Sequence, residues 1–296
     1  MIESQAYVPR RMSRSRMIDI RGLACHIREW GEAGAPTVFL LHGHRDASAT
    51  FQFMVDELRG DYHFIAPDWR GHGQSGWAPQ GYTFPDYIGD LDFLLETLSP
   101  GEPATIIGHS LGGNVACTYA GVRPERVRRV LSLDSAGLPD PDPDDTPKRL
   151  AKWLKDWREG PEPSRAYDSV EAIAARLVGA HPRLTPDKAL FLAANTTRRG
   201  TAGEWLFAFD PRHRSPFAVV ARRAEWKACM RRVEAPVFWL LADRPGRFDN
   251  DPDNLEARLA LFRNIRHAMI PNTSHNIHHD APAEVARYVD SFLSEV

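Results

Sequence analysis

The sequence predicts an α/β fold in which a mostly parallel, eight-stranded sheet carries helices on both faces. Short apolar runs rich in β-branched residues alternate along the chain with segments of helical periodicity. A serine flanked by glycines stands between one such run and a helical segment. A long helical stretch over residues 136–232 then interrupts the alternation. Together these three observations predict one sheet-based domain with a large insertion.

The elements follow one another in a regular order. Strands are predicted over residues 17–20, 23–30, 36–41, 62–66, 104–107, 127–133, 237–241 and 268–270. Helices are predicted over residues 48–58, 84–98, 113–120 and 282–293. The segment 84–98 is the clearest of them, because Tyr87, Leu91, Leu94 and Leu98 recur at helical spacing. Such alternation is typical of parallel strands joined by helical crossovers.

The insertion contains predicted helices over residues 147–157, 170–178 and 186–194 and begins with a proline-rich stretch. An insertion of this size in a doubly wound sheet suggests a helical cap over the active site, with an apolar cavity beneath it. Three of its aromatic residues, Trp153, Trp157 and Trp205, are candidates for contact with substrate. The predicted division is a flexible basic tail over residues 1–15, a core over 16–135 and 233–296, and the cap over 136–232.

Composition excludes several function classes. The net charge of -2 gives no electrostatic reason to expect nucleic acid or a membrane surface as a partner. No apolar run approaches the length of a membrane span, and the first residues do not resemble a signal peptide. The three cysteines are few and widely spaced, which suggests a reducing cytoplasm. The chain is expected to act as a monomer or a homodimer.

The most informative stretch is Gly108-His109-Ser110-Leu111-Gly112. A serine at a sharp turn between a strand and a helix, with glycine two residues before and after it, is typical of a nucleophile elbow. The turn exposes the hydroxyl above the sheet. The helix that follows presents free amide hydrogens to a developing negative charge. Ser110 is therefore the candidate nucleophile.

Three further landmarks flank this stretch in sequence order: His42-Gly43-His44, Asp68 to Ser75, and Ser274-His275 to Pro282. With the elbow, they resemble the α/β-hydrolase superfamily in its capped, epoxide-hydrolase-like branch. The resemblance covers residues 17–296 and implies the α/β-hydrolase fold. It implies Ser110 as nucleophile, His275 as general base, and the backbone amides of His44 and Leu111 as the oxyanion hole. His278 and His279 could form a metal site with His275, but no carboxylate-rich ligand set accompanies them.

The acid of the triad departs from the family pattern. Pro245 occupies the position after the seventh strand where relatives carry an aspartate. Asp134 ends the sixth strand and is the preferred candidate, Asp243 is the alternative, and Asp249 or no acid remains open.

A serine nucleophile favours acyl transfer over epoxide or haloalkane chemistry. The predicted function is therefore hydrolysis of a small carboxylic ester or lactone through an acyl-enzyme, with no metal or organic cofactor. Two alternatives stay open. One is a hydrolase of carbon–carbon bonds in vinylogous diketones, and the other is a ligand receptor that retains the triad and turns over slowly.

Overall fold

The computed structural model describes residues 5–138, 140–244 and 253–295. The strands are β1 (Arg14–Ile20), β2 (Leu23–Trp30), β3 (Thr37–Leu41), β4 (His63–Pro67), β5 (Ala104–His109), β6 (Val127–Leu133), β7 (Thr197–Arg199), β8 (Trp205–Phe207), β9 (Val237–Ala242) and β10 (Ile265–Ile270). The helices are α1 (Gln52–Glu57), α2 (Phe84–Leu98), α3 (Leu111–Val122), α4 (Thr146–Glu159), α5 (Val170–Ala180), α6 (Pro186–Asn195), α7 (Arg223–Met230), α8 (Leu255–Leu259), α9 (Ile277–Asp280) and α10 (Pro282–Leu293).

Within the described residues, eight strands form one sheet in the order β1-β2-β4-β3-β5-β6-β9-β10. The strands from β4 to β10 in this order are parallel, whereas β2 runs antiparallel to both β1 and β4. The predicted mostly parallel, eight-stranded sheet of the α/β-hydrolase fold is confirmed. The carboxyl ends of β3, β5, β6 and β10 lie at one edge of the sheet, which is where an open α/β sheet carries its site.

The sheet separates two buried apolar clusters. Along β3, Phe39 and Leu41 pack with α2 and α3 on one face, while Val38 and Leu40 pack with α1 and α10 on the other. Both sets of side chains are buried because helices cover both faces, which explains why this strand is apolar throughout and not alternating. Because helices hold both faces of the sheet, the same packing fixes where the carboxyl ends of the neighbouring strands β3 and β5 lie.

The insertion contains α4, α5 and α6 close to the predicted bounds, and also a short β7–β8 hairpin that periodicity did not indicate. Its last helix, α7, packs against α3 of the core. Trp226 and Met230 of α7 are buried in the core cluster on that face, and a Cβ on Gly121 would lie 2.1 Å from the Cys229 carbonyl oxygen. The chain therefore returns to the core before residue 233, which was the predicted boundary.

The amino-terminal segment is bonded to the rest of the molecule. The hydroxyl of Tyr7 donates a hydrogen bond to Asp56 at 2.8 Å. The backbone N–H of Tyr7 donates to the Asp187 carbonyl oxygen at 3.1 Å. The Arg11 N–H donates to Asp56 at 2.7 Å, and β1 already begins at Arg14. The prediction of a solvated basic tail over residues 1–15 does not fit the part described here, because its polar groups find partners on α1 and α6. Among the described residues, no helix combines the length and the apolar character that crossing a bilayer requires.

Candidate active site

Ser110 lies at a strained turn between β5 and α3. Its φ of +52° and ψ of −113° fall outside the regions that L-residues ordinarily adopt. The neighbouring glycines allow the turn. A Cβ on Gly108 would lie 2.5 Å from the Gly113 nitrogen, and one on Gly112 would lie 2.1 Å from the Leu41 carbonyl oxygen. The strand, turn and helix predicted around Ser110 are therefore present, and the glycines are required by close backbone approach.

Three side chains form a hydrogen-bonded row at the carboxyl edge of the sheet. His275, in the loop between β10 and α9, lies with its Nε2 2.9 Å from Ser110 Oγ. Its Nδ1 lies 2.6 Å from Asp134 Oδ2. An ionised Asp134 accepts the Nδ1–H, which leaves the Nε2 lone pair free to accept the serine proton. The structure thus brings together the predicted nucleophile, base and preferred acid.

Asp134 directly follows β6 with a φ of +50° and a fully buried side chain. Its N–H donates to the Leu240 carbonyl oxygen at 2.8 Å, and its Oδ1 accepts the Ala242 N–H at 2.9 Å. Its Oδ2 also accepts from Nη2 of Arg244 at 2.8 Å. These donors satisfy the buried carboxylate and fix its direction toward His275.

The side chain of the alternative acid, Asp243, is exposed. Its backbone N–H donates to the Ile270 carbonyl oxygen at 3.2 Å and so continues the hydrogen bonding between β9 and β10. Within the described ranges, it makes no hydrogen bond to His275. Asp249, which also remained open as the acid, lies outside the described residues. Among the described aspartates, Asp134 is the one in contact with the histidine.

The expected oxyanion amides lie on either side of Ser110. Leu111 is the first residue of α3, so its N–H has no partner within the helix. The turn that carries His44 approaches closely, because a Cβ on Gly43 would lie 3.3 Å from Ser110 Cβ. Neither N–H donates to a protein acceptor within the part of the chain that the structure describes. Both amides are therefore free to receive a ligand oxygen.

A buried network holds the His42-Gly43 turn in position. His42 Nδ1–H donates to the Gly43 carbonyl oxygen at 2.7 Å, and its Nε2 accepts the Trp69 N–H at 2.9 Å. Asp68 accepts the Ser48 N–H, the Gln74 N–H and the ring N–H of His26. The loop after β4 therefore supports the turn that presents His44.

Several histidines around the row are buried and uncharged. Burial lowers the pKa of His109 to about 3, and the adjacent His275 lowers it further in the same direction. Burial, followed by the nearby Arg45, lowers the pKa of His44 to about 4. His278 and His279, once considered as metal ligands with His275, both bond Thr50 Oγ1 through Nε2, at 2.9 and 2.6 Å. Those two nitrogens already have protein partners.

Other groups could hold a metal. Among the described residues, two sets each offer one ligand atom per residue, all within 4.8 Å of one another: His44, His72 and His213, and Asp46, His109 and His278. Both sets are made largely of buried side chains, and neither includes Ser110 or His275. The proposed chemistry below uses neither set.

Ser110 and His275 open into a cavity of about 710 Å³ between the core and the insertion. Phe207 and Phe209 line it, and their rings stack at a centroid distance of 6.3 Å. The cavity was expected to be apolar, but charged side chains also line it, among them Arg165 and Arg176. The expectation is wrong on this point because the loop before α5 and one face of α5 turn polar residues toward the cavity.

The three tryptophans predicted to contact substrate do not line this cavity. Trp153 and Trp157 pack edge to face at 6.0 Å and border a separate cavity of about 250 Å³ with Tyr82 and Phe217. Trp205 pairs with Tyr167 through backbone hydrogen bonds at 2.8 and 3.0 Å and packs within the insertion. Periodicity identified these residues as candidates but could not give the direction in which each side chain points.

A family model described as alpha/beta hydrolase fold matches residues 36–282. This span includes the His-Gly turn, the elbow, Asp134 and His275. The chain belongs to the alpha/beta hydrolase fold family.

Individual relatives agree with this family. The chain is 30% identical over 281 residues to a serine hydrolase-like protein of Danio rerio, covering 89% of this chain and 83% of that one. It is 30% identical over 173 residues to 2-(acetamidomethylene)succinate hydrolase of Mesorhizobium japonicum, covering 58% of each. A thioesterase domain from the curacin biosynthetic pathway superposes with a TM-score of 0.81 at 22% identity, over 94% of this chain and 99% of that one. The protein is a hydrolase of the serine hydrolase type.

Two features of this alpha/beta hydrolase escaped sequence reasoning. Arg244 contacts the acid, yet in sequence it is one arginine among many and follows Asp243 without a distinguishing pattern. Phe207 and Phe209 line the cavity. Their spacing of two residues, which places side chains on one face of an extended chain, was the signal that could have identified them.

Proposed function

We propose that this hydrolase cleaves a carboxylic ester or lactone through an acyl-enzyme on Ser110. His275 Nε2 takes the hydroxyl proton as Ser110 Oγ attacks the carbonyl carbon. The oxyanion that forms accepts hydrogen bonds from the N–H groups of His44 and Leu111. Collapse of the intermediate expels the alcohol, which receives the proton from His275. A water then cleaves the acyl-enzyme by the same steps and releases the carboxylic acid.

The single observation that carries the proposal is the row Ser110–His275–Asp134 at the floor of a cavity large enough for a small organic molecule. In it, Asp134 holds His275 in the tautomer that accepts a proton at Nε2 and stabilises the imidazolium that follows. The insertion acts as a cap, because its residues form the side of the cavity opposite the sheet.

The Ser110→Ala variant tests the nucleophile. We expect it to fold as the wild type does, to lose hydrolysis of all esters and lactones in a size-graded screen, and to lose labelling by a fluorophosphonate. Ser291→Ala is the matched control, because this serine is exposed on α10 and far along the chain from the elbow. Labelling of the Ser110→Ala variant at the wild-type rate would show that another nucleophile carries the activity.

The same screen separates the alternatives. A carbon–carbon hydrolase would turn over a vinylogous diketone faster than any ester of similar size. A slow-turnover receptor would be labelled by the fluorophosphonate but would release one equivalent of product and then stop. Sustained turnover of an ester or lactone, with the diketone inert, is the result that we expect.

A further inference from the structure

Among the described residues, four arginines line the cavity that contains Ser110: Arg45, Arg165, Arg176 and Arg214. They come from four separate segments, namely the loop after β3, the loop before α5, α5 itself, and the 3-10 turn after β8. Two acidic residues, Asp46 and Glu162, are the counter-charges in the same lining. The described part of the lining therefore has an excess of positive charge, although the chain as a whole carries -2.

Two of these arginines, Arg165 and Arg214, are oriented by contacts that do not neutralise them. Arg165 lies over the ring of Tyr167 at 5.1 Å, and Arg214 lies over Phe209 at 5.2 Å while donating to the Pro163 carbonyl oxygen at 2.8 Å. A ring or a carbonyl orients a guanidinium but leaves its other N–H groups and its charge available. Within the described ranges, none of the four forms an ion pair, whereas Arg70 pairs with Asp90.

The two acids do not offset this charge fully. Burial raises the pKa of Asp46, and its Oδ1 already accepts the adjacent Ala47 N–H at 2.9 Å. Glu162 is exposed and forms no ion pair with a described residue. A guanidinium binds a carboxylate through two parallel N–H···O bonds, and convergent cations raise the local concentration of an anion.

We propose that the arginines form an anion subsite, and that the substrate is an ester with a carboxylate elsewhere in the molecule. The inference rests on the proposed function, since it concerns what Ser110 cleaves. The carboxylate is held by the guanidinium groups on the insertion side, while the ester carbonyl lies over Ser110. Arg165 and Arg176 are the residues that select for charge.

Matched esters test this selection. We compare para-nitrophenyl hexanoate with the para-nitrophenyl hemiester of adipic acid, which replaces the terminal methyl by a carboxylate. Phenyl hexanoate and para-carboxyphenyl hexanoate place the same charge on the alcohol side. We expect kcat/KM for one charged ester to exceed that of its neutral partner by about tenfold, a preference that shrinks as potassium chloride is raised. Equal values for both pairs would overturn the inference.

The Arg165→Gln and Arg176→Gln variants locate the effect. Each is expected to lower kcat/KM for the preferred charged ester by about tenfold and to change that of its neutral partner less than about twofold. Arg199→Gln is the matched control, because Arg199 also lies over a ring, that of Trp205 at 4.2 Å, but does not line the cavity. Equal losses on charged and neutral esters would assign the arginines a structural role and contradict the inference.

A binding measurement separates this inference from the proposed function. Calorimetry of adipate with the Ser110→Ala protein reports the subsite whether or not any ester is hydrolysed. Binding that Arg176→Gln weakens about tenfold, and that Arg199→Gln leaves unchanged, supports the subsite even if no ester turns over. Absent binding, or binding indifferent to Arg176→Gln, overturns the subsite even if neutral esters are good substrates.

Discussion

The position of Asp134 is the residue-scale feature with the largest chemical consequence. It leaves β6 in the left-handed region, and among the described residues it accepts hydrogen bonds from His275, from the Ala242 backbone and from Arg244. Because these donors already orient the buried carboxylate, it does not have to move when His275 becomes protonated. The same edge of the sheet offers Asp243 at the end of β9, but that side chain is exposed.

Replacement of each carboxylate by an amide separates the two aspartates. In Asp134→Asn, the amide N–H₂ faces His275 Nδ1 and favours the tautomer whose Nε2 carries a proton, so Ser110 cannot be deprotonated. We expect kcat to fall on the order of 10³ to 10⁴. Asp243→Asn is the matched control, and we expect a loss of at most about tenfold, because the residue contributes only to loop packing. Both variants are measured on one ester.

The opposite ranking would contradict this assignment. An inactive Asp243→Asn variant together with a nearly wild-type Asp134→Asn variant would mean that the acid follows β9 after all. Circular dichroism of both proteins distinguishes lost chemistry from lost folding.

At the scale of elements, the elbow depends on how closely α3 and β3 approach each other. Gly112 lies against the backbone of Leu41, and no side chain fits between them. The height of Ser110 above the sheet therefore depends on the packing of three elements: β5, the α3 that follows it, and β3, which pairs with β5. Backbone atoms cannot move aside as a flexible side chain can, so the contact is intolerant of added volume.

Two glycine substitutions measure this contact. Gly112→Ala would place a Cβ 2.1 Å from the Leu41 carbonyl oxygen, and we expect the free energy of unfolding to fall by at least about 3 kcal/mol. Gly179→Ala is the control, because this helical glycine of α5 has no atom within 4 Å of its Cβ position, and alanine there is expected to add up to about 1 kcal/mol. Urea denaturation gives the free energy of unfolding of both variants. Equal values for the two variants would show that the backbone around the elbow can relax.

Sequence reasoning was most accurate where local periodicity is strong. The bounds predicted for α2, β6 and α10 are those in the structure, because each combines clear apolar spacing with a proline or turn at its end. The three-residue strands β7 and β8 and the helix α7 were missed, since tertiary packing more than local pattern determines them. Ser110 and His275 could be named from motifs, but β6 and β9 end at the same edge, so the choice of acid depended on backbone geometry.

At the scale of the whole molecule, several buried or partly buried histidines are neutral in the folded protein. Burial lowers the pKa of His213 to about 2, that of His109 and His279 to about 3, and that of His44 to about 4. In the unfolded chain these groups titrate near their ordinary value of about 6.5. Below that pH the unfolded state binds more protons than the folded state, so stability must fall as the pH falls.

We therefore expect the free energy of unfolding to decrease between pH 7.5 and pH 5, where most carboxylates stay ionised. Each buried histidine contributes a slope approaching about 1.4 kcal/mol per pH unit at the acidic end. His213→Phe should reduce the slope, because phenylalanine keeps the stacking on Tyr82 and takes up no proton. His267→Phe, at an exposed position of β10, is the control. A slope that His213→Phe leaves unchanged would contradict this account.

The order of the catalytic row along the chain has a consequence for biosynthesis. Ser110 and Asp134 enclose one α-helix and one strand, α3 and β6, whereas His275 lies 165 residues beyond the serine. A growing chain therefore carries the proposed nucleophile and acid long before it carries the proposed base, and we expect Ser110 to stay unreactive while the insertion is being made. The reactivity of Ser110 with a fluorophosphonate therefore also reports when β10 and α10 have packed onto the rest of the protein.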